Sequence, residues 1–442
     1  METDEAIRQR LAARRPTLDV DAAWRAFERR RSLDGRTRRR RRRGVVAAAL
    51  VLLVGAGAGA VVARSGDGAP SLRTGPSARS EHAPDTWRRL AEGPLSAGSH
   101  ASAVWTGSEV LIAGGTDARP CPPGAGCTGE GDTGGPLRDG AAYDPATDTW
   151  RTIAAAPAAF EVARTLWTGE LMLVYDQSEP PASPRLLAYE PRRDTWEQRS
   201  VPPRGGGGPF GEAAWTGELA VLARMDGTGG DWTYDPATDS WAELPADPIG
   251  CAHSRTVVAA PGSLILFAVT CGDTENVDPP RDQAARFDLA TQRWRRLPGS
   301  DIAAGSNSWI VTGDLVVNPS TLVADGGGEV EAPGQPYPLG GVLDLATEVW
   351  SRPTAIDPPD EGERASTHLG YQGPAGAWVV TEGRLYEPVT GPWHVIPPGP
   401  EVGGGRAAAW TGQEIVAWGG TDEASEGHLA TGAAYTPPEP PG

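Results

Sequence analysis

The chain is 442 residues long, with 40 arginines, no lysine and 57 acidic residues, and so carries a net charge of −17. The charge is divided unevenly: residues 1–43 hold 15 Arg against 7 acidic residues, and the remainder holds 25 against 50. So acidic a body repels nucleic acid and anionic surfaces, which excludes both as its partners.

The first expected element is a short amphipathic helix over residues 20–31. Val20, Trp24, Phe27 and Arg31 recur at helical spacing, and Asp19 or Asp21 can cap it. Too small to fold alone, it is expected to lie at an interface or to dock a cytoplasmic protein partner. The run Arg38 through Arg43 follows, and then 20 uncharged residues, 44–63, about the length that spans a bilayer. By the positive-inside rule, residues 1–43 stay in the cytoplasm and everything beyond the span lies outside, giving a single-pass cell-membrane protein. Beside a span, the arginine run binds anionic lipid and sets topology rather than holding nucleic acid. The alternative is a cleaved signal peptide with Val61-x-Ala63 at the cleavage site, against which the length of the 43-residue front region counts. With its Trp-containing helix and basic run, this front is similar to the cytoplasmic stubs of actinobacterial membrane proteins, some of which regulate sigma factors. Residues 64–83, rich in Ser, Gly, Arg and Pro, read as a flexible tether.

From residue 84 onward one phrase repeats. It reads YDPATDTW at 143–150, YEPRRDTW at 189–196, YDPATDSW at 234–241, FDLATQRW at 287–294, LDLATEVW at 343–350 and YEPVTGPW at 386–393. Its first residues, Tyr143 through a truncated copy at Tyr435, are spaced by 43 to 56, near the period of a propeller blade. Asp-Pro followed by Thr-Asp is turn chemistry, and the Trp opens the next strand, where its ring packs on a neighbouring sheet. Upstream lie hairpins around a Thr-Gly turn: VWTGSEVLIAGG at 104–115, LWTGELMLVYD at 166–176, AWTGELAVLAR at 214–224 and AWTGQEIVAWGG at 409–420. Each period therefore holds four strands, which is one blade. Tyr435 has no Trp after it, and Trp87, in Asp85-Thr86-Trp87, has no Tyr before it. The two ends complete one blade, so the reading is an all-β, seven-bladed β-propeller closed by an N-terminal strand and preceded by a single transmembrane helix.

Gly114-Gly115 with Tyr143 and Trp150, and Gly419-Gly420 with Tyr435 and Trp87, resemble the Kelch repeat of the galactose-oxidase-like propellers. Other blades replace the doublet with Tyr175-Asp176, Ala223-Arg224 or Cys271-Gly272. The resemblance covers residues 84–438, leaves 439–442 as a disordered tail, and implies fold rather than activity.

All four cysteines lie beyond the span, as disulfides in an exported protein would. Cys251 and Cys271 flank a hairpin and face each other if its register is unbulged; Cys121 and Cys127 bracket a turn-rich loop. The spacing does not suit a metal, and no metal or cofactor is expected. No metalloprotease helix, nucleophile elbow or phosphate loop is present. Nor is the copper constellation of galactose oxidase. Asp144, Glu190, Asp235, Asp288, Asp344 and Glu387 recur in every copy of the phrase and read as turn formers, while Trp105, Trp167, Trp215 and Trp410 read as inter-blade packing.

The short turns share one face. The long connections, 116–139, 177–185, 272–283 and 318–340, share the other, which is the natural ligand surface. His100, Glu161, Arg164, Glu212, Asn307, His368 and Arg406 enter the innermost strands there and are the candidate rim of an axial pocket. The favoured reading is a membrane-tethered, extracytoplasmic propeller that binds a protein or cell-envelope glycan. The alternatives are a glycan-active enzyme, epimerase- or mutarotase-like, with an axial acid/base pair, and a transmembrane regulator acting through residues 20–31.

Overall fold

The computed structural model describes residues 83–118, 134–177, 184–203, 210–224, 230–250, 252–270, 282–300, 309–318, 341–351, 369–381, 383–400, 404–422 and 427–440. The expected cytoplasmic segment, span and tether lie outside them. Among the described residues, no helix is long and apolar enough to cross a membrane.

Seven four-stranded antiparallel sheets make up the body. Six are built from consecutive strands, spanning 102–152, 164–199, 210–243, 252–296, 310–351 and 373–395, and are called blades one to six here. Blade seven takes its first three strands from Ala407–Trp410, Ile415–Trp418 and Gly432–Thr436, and its fourth from Thr86–Arg89. The first strands of adjacent blades touch one another all the way round, so the sheets form a closed ring. The chain is a seven-bladed β-propeller, and Trp87 stands opposite Tyr435 in the closing pair.

Strand character follows position in the blade. The second strand is sandwiched between two neighbouring blades and reads as an unbroken apolar run, VLIA in blade one and IVAW in blade seven, with every residue buried. The fourth strand is the outer edge: in TWRT and RWRR only the Trp is half-buried and the remaining residues are exposed, while TWRR half-buries Trp87 and Arg88, and the exposed charge discourages edge-to-edge pairing.

Both short turns are held by their own side chains. In the first, the Thr106 hydroxyl accepts the Glu109 N–H at 2.9 Å, and Thr168, Thr216 and Thr411 repeat the contact. In the second, the Asp144 carboxylate accepts the Ala146 N–H at 2.8 Å, with Asp235, Asp288, Asp344 and Glu387 alike. These recurrent carboxylates are turn formers, as expected.

The second acidic residue of the phrase does more than cap a turn. Just before the fourth strand, every blade places a residue in the left-handed region: Asp148, Asp194, Asp239, Gln292, Glu348, Gly391 and Asp85. In four blades its carboxylate accepts the hydroxyl of the buried tyrosine of the same blade, at 2.6 to 2.9 Å. The same carboxylate reaches back to the preceding blade, accepting the N–H of Ala91, Ala154 or Ser200. The carbonyls of those three residues accept the indole N–H of Trp150, Trp196 and Trp241. Trp294, Trp350 and Trp87 make the same indole bond to Pro245, Pro298 and Pro397. The repeated phrase is thus a latch between blades.

Among the described residues, six apolar clusters each draw on two adjacent blades, so the core lies at the joints. Trp105, Trp167, Trp215 and Trp410 pack partly buried against these clusters.

The hairpin of blade four departs from the simple register. It closes at Ala260↔Ser263, but a bulge between His253 and Thr256 shifts the pairing by one, to Ala252↔Thr270. An unbulged ladder would not bring residues 251 and 271 into step; the bulged one ends one position short of them. Cys121, Cys127, Cys251 and Cys271 themselves lie outside the described residues.

Candidate functional site

The antiparallel blades put both short turns on one face and the second-to-third connections on the other, together with the entries to the first strands. On that second face, equivalent residues of three consecutive blades line the inner mouth two positions before their first strands. Gly405, His100 and Val162 all adopt left-handed backbone, with φ of 67°, 57° and 49°. They are stitched through the main chain: the Val162 N–H donates to the His100 carbonyl at 3.3 Å, and the His100 N–H to the Gly405 carbonyl at 2.6 Å. The His100 ring is exposed and shares a 3.0 Å hydrogen bond between Nδ1 and the buried Ser99 hydroxyl. Val162 is 62% exposed. A β-branched residue in this region is a steric outlier, and here its side chain contributes nothing to the core.

The glycine doublets hold this mouth together. The Gly115 N–H donates to the Phe160 carbonyl, and the Gly420 N–H to the Gly98 carbonyl, so each doublet grips the entry segment of the next blade. A Cβ on Gly114 would lie 2.4 Å from the Phe160 ring, and one on Gly419 would lie 2.5 Å from the Gly98 carbonyl oxygen. A crevice beside this junction, lined by Gly98, Ser99, Leu137, Asp139 and Trp418, is too small for an organic ligand.

Blade two and the joint between blades three and four, where no doublet stands, use buried charge instead. Asp176 pairs with Arg185 at 2.5 Å, and the same guanidinium donates to the Ala159 carbonyl. Between blades three and four, Arg255 binds Asp231 at 2.5 Å and Asp247 at 2.9 Å, and donates through Nε to the Arg224 carbonyl. Burial pushes the Asp231 carboxyl up from its ordinary value, against the attraction of Arg255. The blade-four bulge places Arg255 in this brace, and its guanidinium is too enclosed to meet a ligand. Burial likewise pushes the nearby Tyr175 hydroxyl up to about 12, with the charge of Arg224 opposing.

The sequence-derived rim residues divide into three groups. His100, Glu161, Arg164 and Arg406 sit at the mouth of blades seven, one and two: His100 is exposed, Glu161 and Arg164 are half-buried, and Arg406 is buried. The His100 ring comes within 3.0 Å of the Cβ position of Gly405, the residue before Arg406, and His100 bonds Val162, the residue after Glu161, so the structure gathers these entry segments. Glu212 lies on a second bulge, between Phe210 and Ala213, with its side chain outside the description. Asn307 and His368 lie outside the described residues. Sequence reasoning passed over Val162 and Gly405, which carry no polar side chain; their alignment two residues ahead of Arg164 and Ala407 was the available signal. Among the described residues, no group of three His, Cys, Asp or Glu is placed to hold a metal ion.

The fold and this mouth define a seven-bladed β-propeller of a kind consistent with binding or scaffolding. No protein-family model and no curated protein matches the chain.

Proposed function

We propose that this chain is a membrane-tethered, extracytoplasmic, Kelch-like propeller that recognises a protein or cell-envelope glycan at the mouth formed by His100, Glu161, Val162 and Gly405. The observation that carries the reading is Val162, held exposed in a strained conformation that costs about 1–3 kcal/mol. Its own N–H is tied to the His100 carbonyl, and the His100 N–H to the Gly405 carbonyl, so the apolar side chain and the His100 ring are presented side by side to solvent. A donor–acceptor ring beside a small apolar contact suits a hydroxyl-rich or peptide ligand. The uncharged segment 44–63 behind six arginines supports the tether.

The test uses the full-length protein in detergent on an array of cell-envelope glycans, with crosslinking on intact cells for protein ligands. Binding should fall in Val162→Gly and His100→Ala and persist in Glu218→Ala, which lies in a turn on the opposite face. Equal binding by all of these proteins would refute the site. External protease on intact cells should remove the propeller and spare the arginine-rich front; a propeller protected inside the cell, or released by signal cleavage, would refute the tether.

A further inference from the structure

Blade six is built differently from four of its counterparts at the turn between its first two strands. In blades one, two, three and seven a four-residue Thr-Gly turn stands there and ends on Glu109, Leu171, Leu219 and Glu414. In blade six only Gly376 and Ala377 separate the paired Ala375 and Trp378, with Gly376 at φ 66°. The position just before the partner of the phrase's first residue therefore falls to Trp378. Trp378 is 2% exposed and packs in the apolar cluster of the joint between blades six and seven. Its one polar atom, the indole N–H, donates to the Pro438 carbonyl at 2.7 Å. The His394 ring stands 6.2 Å from the Trp378 ring, tilted by 46°. Pro438 belongs to the run that follows the last strand of blade seven, Pro437-Pro438-Glu439-Pro440, in which the three prolines are half-buried and Glu439 is exposed. Each residue before a proline is biased toward extended backbone, and in a polyproline II segment Pro437 and Pro440, three apart, share a face. The run has the form Pro-x-x-Pro and is bonded to one member of an aromatic pair.

We propose that Trp378 and His394 form a recognition seat for a proline-rich segment, filled here by residues 437–440 of the chain itself and open to such a segment of another protein when these leave. Aromatic grooves hold polyproline in this way: the rings supply contact area, a donor such as the indole N–H fixes the register, and a ligand that is already extended loses little entropy. An enclosed indole N–H needs an acceptor, and a proline carbonyl, with no N–H of its own residue to compete, is a suitable one. The resident segment follows directly from Thr436, whose carbonyl accepts the Asp85 N–H at 2.8 Å. So short a connection gives it a high effective concentration at the seat, against which a segment in trans has to compete. The seat lies beside the first turn of blade six, on the short-turn face, opposite the mouth of His100 and Val162. It is a second site, independent of the ligand at that mouth, and both can be filled at once.

The test is fluorescence anisotropy of a labelled synthetic peptide, Thr-Pro-Pro-Glu-Pro-Pro-Gly, with the full-length protein in detergent. A variant carrying Pro437→Gly, Pro438→Gly and Pro440→Gly keeps the whole chain but empties the seat, and it should bind the peptide saturably. Wild type should bind it about tenfold or more weakly, because the tethered segment competes at an effective concentration of about millimolar. Adding Trp378→Phe to the triple variant keeps a ring but removes the donor, and should weaken binding roughly fivefold or more. Should Trp378→Phe fail to fold, a peptide with alanine in place of the first and third prolines reports on the same seat and should not bind. Where the triple change disturbs the ring, Pro440→Gly alone serves and should bind with intermediate affinity. Failure of the emptied seat to bind, equal binding by wild type, or equal binding of the alanine peptide would overturn the proposal. So would a wild-type dimer that the triple variant loses, which would assign the seat to a second copy of this chain.

Discussion

Replacing Asp194 with Ala should loosen the joint between blades one and two more than its exposed position suggests. Its Oδ1 accepts the Tyr189 hydroxyl and the Ala154 N–H, both at 2.7 Å, while the Ala154 carbonyl takes the Trp196 indole N–H at 2.8 Å. Removing the carboxylate leaves the fully buried Tyr189 without its acceptor and frees one half of the two-way clamp on Ala154. Hydrogen bonds to a charged acceptor contribute about 1.5–3 kcal/mol each, and solvent beside Asp194 argues for the lower end or below. Alanine at φ 52° adds about 1 kcal/mol of backbone strain. The expected loss is therefore about 3–4 kcal/mol for Asp194→Ala. Glycine removes the strain and should lose about 2–3; asparagine tolerates the conformation and keeps one acceptor, and should lose about 1–2. Urea unfolding followed by tryptophan fluorescence measures this as a shift of midpoint at unchanged slope. A loss below about 0.5 kcal/mol for Asp194→Ala, the size of an ordinary surface substitution, would refute the latch. So would a ranking in which asparagine is the worst. Titration supplies an independent check. The Ala154 N–H first, and then the Tyr189 hydroxyl, hold the Asp194 carboxyl below its usual value. A depressed folded value means that the stabilisation is present above the unfolded value of about 3.9 and is lost as pH falls through the folded one. The wild type should therefore lose more stability between pH 5 and 3 than Asp194→Asn does.

Three further outcomes follow from the architecture. Deleting residues 84–92 removes the fourth strand of blade seven and should abolish cooperative unfolding or cause aggregation, whereas deleting 64–80 should not; equal tolerance in a scattering and melting assay would contradict the ring closure. Gly114→Ala puts a Cβ 2.4 Å from the Phe160 ring at φ 70° and should cost about 2–4 kcal/mol of stability in the same urea assay, with a loss under 1 contradicting the junction. Cys251 and Cys271, each next in sequence to the last described pair Ala252↔Thr270, should be found bridged on non-reducing peptide mapping; free thiols, or a bridge to Cys121 or Cys127, would contradict this expectation.

Much of this molecule is legible along the chain because a blade is a local object. Tyr143, Asp144, Thr149 and Trp150 sit within eight residues of one another, and their turn and strand character follows from backbone preferences that operate over that distance. The blade count came from a mismatch of ends, Tyr435 lacking a Trp and Trp87 lacking a Tyr, which needs no coordinates. The strand register of blade four is not legible in this way: the turn between its first two strands does not reveal the bulge between His253 and Thr256, which shifts the pairing by one.

What the ring decides is everything that crosses a joint. Asp148 and Asp194 look like turn residues in the sequence, yet the N–H groups their carboxylates accept, those of Ala91 and Ala154, lie 57 and 40 residues away on another blade. His394 and Asp85 are 309 positions apart and meet only because the first strand closes the last blade. Val162 is an unremarkable residue until its left-handed backbone and its bond to His100 place it at the mouth. Periodicity and turn chemistry record the forces acting within one blade, where neighbours in space are neighbours in sequence. Contacts between blades depend on the rotation that brings separate sheets face to face, and that rotation is set by the packing of all seven together.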